Sequence, residues 1–397
     1  MPKPAHPARI TLLWFGVQLI WGAVLGISLQ ARTVQLAAGS SLATFAEISA
    51  SGAFAAGLTQ LVVGPLSDHL RRRGRRRSGF YLLGAIFGSG AVLALYAAPT
   101  AGTLLASFVA LQFSLNLIIG PYQAVIPDTL PPQRFGFASG WLAALGSAGN
   151  ATGAVLAAFL GNGEILGIAL ALGLLSAALG TLLHLRGVPL QPLSERPPFA
   201  LTRTLVDLFI SRAMVYLGFY TVLGYLYFFV AAVLPRGFVL DATRASGLCI
   251  LLFTALGTAG AMIAARPADR SDERLVVTAG GGLVCVSLVV LALAQALPVL
   301  PLAIAAAGVG WGIFLCADWA FACRLLPPNA MATTMAVWNL AVVGPQLLAP
   351  LVASLLLSRL GTLNSGAGPR DAMLLASAEL LIGTGWIWRL PLTRTGK

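Results

Sequence analysis

Long, unbroken apolar runs alternate along this chain with short polar connections. A helix crossing the hydrocarbon core of a bilayer needs roughly 20 such residues, and on that measure the pattern predicts twelve spans. They fall near residues 10–31, 42–64, 79–98, 103–125, 137–160 and 164–185, then 204–233, 245–265, 275–296, 301–323, 331–358 and 371–390. Because the runs are continuous, a helical bundle is expected; a barrel strand would give only about ten residues of alternating pattern.

Composition sharpens this picture. Hydrophobic residues make up 58% of the 397 positions and charged residues 10%, with a mean hydropathy of +0.86. A soluble fold of that composition would have to show water an almost wholly apolar surface, so the fold class is an all-α integral membrane protein. The opening MPKPAHPAR leads into an apolar segment too long for a signal core, and no cleavage-site pattern follows; the first helix is expected to be retained. Cys249, Cys285, Cys316 and Cys323 all fall inside apolar segments with no C-x-x-C pair, and His6, His69 and His184 are scattered. Buried thiols are expected, and no metal or other cofactor.

Charge sets the orientation. Residues 71–77 read RRRGRRR, six arginines in seven positions. With a cytoplasmic N-terminus, 19 of the 25 Lys and Arg residues fall on the cytoplasmic side; Arg32, Arg236, Arg244, Arg359 and Arg370 lie opposite and Arg212 within a span. The positive-inside rule then puts both termini in the cytoplasm. The arginine run becomes a cytoplasmic loop that helps fix topology and meets anionic lipid headgroups, and nucleic-acid binding drops out. An energised bacterial inner membrane suits a chain with no eukaryotic sorting signal.

The chain also repeats itself. IPDTLPPQRFGFASGW from Ile126 faces CRLLPPNAMATTMAVW from Cys323, aligning Leu130, Pro131 and Pro132 with Leu326, Pro327 and Pro328 at an offset of 196. Asp68 in VVGPLSDHLR aligns with Asp269 in AARPADRSDE at an offset of 201. Two anchors at nearly one offset predict a duplicated six-helix unit: residues 1–186, a Pro-rich cytoplasmic linker at 187–203, and residues 204–397. Parallel repeats of this kind imply a pseudo-two-fold axis along the membrane normal and a solute site near the midplane.

Twelve spans, a 6+6 repeat and Gly64-x-x-x-Asp68 followed by an arginine cluster resemble the major facilitator superfamily. That family's loop motif has a basic residue where His69 stands, and a glycine three positions before Gly74. The extended loop, with GPYQAVIPDTLPPQRFGFASGW at 120–141 and VVGPQLLAP at 342–350, resembles its glycoside-pentoside-hexuronide and sucrose-transporter-like branch. The resemblance implies that Asp68, with Arg71 and Arg75, forms a cytoplasmic gate latch; a carboxylate there can take charge-assisted hydrogen bonds and face a helix N-terminus. A solvated basic loop with topological value alone is the other account. The family's antiport-associated glycine and proline signature is incomplete: Gly146, Gly149 and Gly153 are present without a proline, and their spacing predicts close helix packing.

Polar residues inside spans are costly and point to function. Trp14, Gln18 and Trp21 share a face of the first span. Rings beside an amide suit a sugar-sized polyol, the rings covering its CH patches and the amide its hydroxyls, although an interfacial tryptophan with an interhelical amide gives the same pattern. Gln112, Asn116 and Gln123 recur on one face of the fourth span. In the seventh, Arg212, Tyr216 and Tyr220 stand at i, i+4 and i+8, and a buried arginine needs a partner. Asp207 is badly placed for it on the same helix; Asp318 of the tenth span, beside Trp319, is the expected partner, as a structural tie or as part of a transport site. Proton coupling needs a titratable group sensitive to its surroundings. Asp318 and Glu47 are the favoured candidates, Glu47 with Arg32 in reach; Glu379 is placed at the periphery by the family resemblance.

No Walker motif, metal cluster or nucleophile elbow supports an enzyme. The expectation is a monomeric secondary transporter, working by alternating access and coupled to protons in symport, for a small solute of the sugar or glycoside class. Two alternatives stand beside it: a transporter of a drug or organic anion, and a non-transporting scaffold of the same fold, such as a pigment-delivery or assembly protein.

Overall fold

The computed structural model describes residues 5–37, 41–192, 201–235, 239, 242–294, 296–326, 331–362 and 367–391. Lys3, residues 193–200 of the linker, Arg236, Pro327, Pro328, Arg394 and Lys397 lie outside the described residues. Every described regular element is a helix.

The chain divides into two compact units. The first holds α1 (Pro7–Ile10), α2 (Leu12–Ala23), α3 (Leu29–Leu36), α4 (Ser41–Arg72), α5 (Ser78–Ala97), α6 (Ala101–Tyr122), α7 (Val125–Thr129), α8 (Phe135–Leu160) and α9 (Glu164–Leu185). The second holds α10 (Arg203–Val233), α11 (Ala242–Ala264), α12 (Pro267–Arg270), α13 (Glu273–Ala294), α14 (Val299–Leu325) and α16 (Gly368–Trp386). One helix belongs to both: residues 326–337, which include the start of α15 (Met331–Arg359), cluster with the first unit, and α15 from Trp338 onward with the second.

Among the described residues nine helical segments are long and apolar enough to cross a membrane, and α2 is apolar but shorter. The other expected spans fall on α2 to α3, α15 and α16. The first span is not the single helix its hydropathy predicts, because a π-helical turn at Val24–Ser28 separates α2 from α3, a local widening of the ladder by one residue. Outward faces are apolar: α5 exposes Leu82, Leu83, Ile86 and Phe87, and α9 exposes Ile165, Ile168, Leu172 and Leu179. Such a surface suits lipid and would be a liability in water.

Lipid supplies no hydrophobic drive between helices, so they pack through small residues that let backbones approach. In the first unit α8 lies against α2: a side chain added at Gly149 or Gly153 would overlap the carbonyl oxygen of Phe15 or Leu19. In the second, α11 meets α14 in the same way, with Gly260 on the Val309 carbonyl and Gly312 on that of Gly257. Gly74 has a different task. Its φ of +76° closes α4, the Gly74 N–H reaching the Arg71 carbonyl and the Arg75 N–H that of Leu70, the left-handed turn that glycine adopts without strain. Three residues beyond the family position are about one helical turn, so α4 ends a turn later.

Gly153→Val and Gly312→Val are each expected to destabilise by about 1–3 kcal/mol through overpacking, whereas Gly57→Ala, with open space around it, gains helix propensity. Thermal unfolding of the detergent-purified variants should show lower midpoints for the first two and an unchanged or higher one for the third.

Candidate functional site

The first cluster stands where α4 ends. Asp68 is buried; its Oδ1 accepts from Arg77 Nη2 at 2.7 Å and from the Ala332 backbone N–H at 3.2 Å. Its Oδ2 accepts from the Thr333 backbone N–H at 2.8 Å and from Thr333 Oγ1 at 2.6 Å. The carboxylate thus caps the free N–H groups of α15, where the helix dipole favours negative charge. Gly64, one turn earlier on α4, makes room: an added Cβ would stand 3.2 Å from the Ala332 carbonyl.

Arg77 is the hub of this cluster. Its Nε donates to Asp128 Oδ2 at 2.7 Å and its Nη1 to Ser67 Oγ. Burial works against its charge, yet Asp128, and then Asp68, hold it more firmly protonated than an ordinary arginine, as two carboxylates at hydrogen-bond distance should. Arg71 lies 3.6 Å from Asp128 and donates to the Gln191 carbonyl at 2.7 Å; Arg76 donates to the carbonyls of Leu185 and Val188. These bonds bind the chain leaving α9 to the end of α4. Arg75 is exposed. The expected latch set of Asp68, Arg71 and Arg75 therefore needs correction: the arginine on Asp68 is Arg77, Arg71 pairs with Asp128, and Arg75 projects outward because the turn after Gly74 points it away.

The second unit repeats this cluster with its charges exchanged. At the repeat offset of 196, Arg77 corresponds to Glu273 and Asp128 to Arg324. Arg324 pairs with Glu273, with Asp269 at 2.7 Å, and donates to the Ala268 carbonyl at 2.8 Å. Each half thus holds one buried arginine between two carboxylates, supplied from opposite positions.

Of the candidate solute residues in the first unit, Trp14 stacks on Tyr122 (6.2 Å, 13°) and packs with Gln18 beside Gly146 of α8. Tyr122 donates to the Ile10 carbonyl at 2.6 Å. Gln112 and Asn116 are buried on α6, where Asn116 Nδ2 donates to the Gln112 carbonyl at 2.8 Å and Oδ1 accepts from Gln60 Nε2 of α4. That amide chain ties α4 to α6. Gln123 is the C-cap residue of α6 and is buried with no partner on its amide. Glu47 is exposed on α4, and Arg32 donates to the Ala98 carbonyl and to Gln35.

In the second unit the expected pair is formed. Arg212 of α10 and Asp318 of α14 are 3% and 1% exposed and joined by a direct ion pair. Arg212 Nη2 donates to Tyr216 Oη at 3.4 Å, and its guanidinium lies 3.5 Å over the Trp338 ring, with Trp319 edge-on to Trp338 at 5.5 Å. Tyr216 continues into a ring cluster with Tyr220 at 6.2 Å and Trp311 at 5.4 Å, and Phe219 stacks on Trp311 at 4.4 Å. The result is a charged pair boxed by aromatic faces inside apolar helices, an arrangement that is costly to bury.

The sequence matches the family description Major Facilitator Superfamily over residues 11–350. The chain belongs to that superfamily. Solved structures share the facilitator fold at low identity. The human organic anion transporter MFSD10 (TETRAN) is 15% identical with a TM-score of 0.74, covering 97% of this chain and 100% of that one. A bacterial homologue of the iron transporter ferroportin, outward-facing, is 16% identical with a TM-score of 0.71, over 96% and 98% of the two chains. The proton:xylose symporter XylE is 12% identical with a TM-score of 0.72, over 98% and 95%. No curated protein matches the sequence significantly. This facilitator is a membrane transporter, not an enzyme.

The exchanged charges give a direct test of the basic cluster. Arg77→Glu or Asp128→Arg alone strands buried charge and is expected to cost about 3–5 kcal/mol, seen as lost folded yield. Combined, the two changes recreate the arrangement at Glu273 and Arg324, and most of the yield should return.

Proposed function

We propose that this facilitator is a proton-coupled symporter of a small neutral polyhydroxylated solute of the sugar or glycoside class. The observation that carries the reading is the Arg212–Asp318 pair enclosed by Tyr216, Trp319 and Trp338. An ion pair is expensive to bury in a membrane, and a carboxylate bound to one arginine exchanges that bond for a proton at modest cost. Protonation of Asp318 frees the guanidinium to donate to the solute; loss of the proton re-forms the pair and releases it. The rings of Tyr216, Tyr220 and Trp319 offer faces to the solute's CH surfaces.

Asp318 is the coupling group of this scheme, and exposure of Glu47 leaves that carboxylate a lesser role. Asp68 serves as the gate latch: its four hydrogen bonds, to Arg77 and the start of α15, break and re-form as the solute site opens to alternate sides, the arginine-rich side being cytoplasmic. Arg212 also favours a second reading, an organic anion as solute, because a freed guanidinium binds a carboxylate bidentately.

The test is uptake into proteoliposomes holding the purified protein, with and without an inward proton gradient, against mono- and disaccharides, glycosides and organic anions. Gradient-driven accumulation of a saccharide or glycoside, abolished by a protonophore, is expected. Accumulation of organic anions alone would transfer the site to the second reading. No gradient-stimulated uptake by folded protein would overturn symport.

A further inference from the structure

One buried carboxyl stands apart from the ion pairs described above. Glu379, midway along α16, is 4% exposed and turned into the seam between α16 and α10. Its Oε2 accepts from Thr221 Oγ1 of α10 at 2.9 Å, and its Oε1 is buried with no hydrogen-bond partner. Backbones approach closely on the same seam, where an added Cβ at Gly218 would stand 2.6 Å from the Ala376 carbonyl, and Ser211 Oγ donates to the Gly383 carbonyl at 2.7 Å.

Among the described residues, the groups on the helices packed around Glu379 offer no countercharge. On α10, Arg212 is committed to Asp318, Asp207 accepts from the Trp386 indole at 3.0 Å, and Tyr225 lies one turn beyond Thr221. On α13, Cys285 donates to the Ser377 carbonyl at 3.5 Å, while Glu273 and Arg274 stand at the helix start, engaged with Arg324 and Asp272. On α16 itself, Arg370 and Asp371 are two turns away, and Arg389 lies over Trp386. A bare carboxylate in such a seam would be an unpaired charge in a medium without water, far more costly than a neutral acid with one unpaired hydroxyl.

We infer that Glu379 is a proton-binding site of the second unit, independent of Asp318 and occupied by a proton in this structure. The proton resides on Oε1, leaving Oε2 as the carbonyl oxygen that accepts from Thr221. Release transfers it to a water molecule as hydronium and leaves a carboxylate behind, so water has to enter the α10–α16 seam for the site to empty. Proton occupancy is thereby linked to the closeness of these two helices.

The test is infrared difference spectroscopy of the full chain reconstituted in lipid at neutral pH, reading the carbonyl stretch of protonated carboxylic acids. Glu379→Gln, in protein whose helical content and monodispersity match the wild type, is expected to lose a component of this band that Asp318→Asn retains. Thr221→Val, which removes only the donor to Oε2, should shift that component in frequency without loss of intensity; it also serves if Glu379→Gln fails to fold. Absence of the band in the wild type, a band that Glu379→Gln leaves whole, or one that Thr221→Val leaves unmoved would each overturn the assignment. None of these readouts depends on which solute is carried or on whether Asp318 couples transport.

Discussion

The structure depends on one constraint: a charge inside an apolar helix bundle has no water to solvate it, so each buried charge must be met by protein. Three buried arginines show how this is done. Arg77 and Arg324 each lie between two carboxylates at helix ends, and Arg212 meets Asp318 between α10 and α14. The first two clusters close helix termini, where spare N–H and carbonyl groups share in the pairing. The third sits among rings, with Asp318 the one carboxylate on Arg212 among the described residues, so a proton on Asp318 would leave the guanidinium's charge unbalanced.

The two units reach the same solution with opposite signs. What the two units share, where the third long helix begins and the fourth ends, is a pair of opposite charges, not the identity of the residue supplying each one. Arg77 with Asp128 and Glu273 with Arg324 satisfy it equally. In the first unit the arrangement leaves Asp68 two further tasks, since its oxygens also cap the start of α15. The residues it caps, Ala332 and Thr333, lie in the part of α15 that clusters with the first unit, whereas α15 from Trp338 onward clusters with the second.

Much of this was legible in the sequence. Hydropathy period and length define the helices, and a buried arginine in one span with an aspartate in another leads to Arg212 and Asp318. Gly149 and Gly153 announced a close helix contact by spacing alone, and α2 fills it. The arginine run was harder. Six similar residues carry no pattern to say which turn inward, and the answer depends on where Gly74 ends α4; Arg71 and Arg77 point in while Arg75 points out. Asp128 was visible in IPDTLPP but had no assigned partner until the fold brought it to Arg77. Trp338 had a signal too, closing the second repeat as Trp141 closes the first, yet its stacking on Arg212 is a tertiary fact. Gln112 and Asn116 share a face by spacing, and Asn116 does bond Gln112 within α6, but its second partner, Gln60, comes from a neighbouring helix. Glu379 showed the same limit, because its environment is set by Thr221, 158 residues away.

The central claim is that a proton on Asp318, exchanged against its bond to Arg212, drives accumulation of the solute. The most direct measurement compares two activities of Asp318→Asn in the same proteoliposomes: exchange of solute at equal concentrations, and uphill accumulation under a proton gradient. Asparagine keeps a hydrogen-bond acceptor for Arg212 but cannot take up the proton. Retained exchange with abolished accumulation is the result the account predicts; accumulation equal to that of the wild type would contradict it.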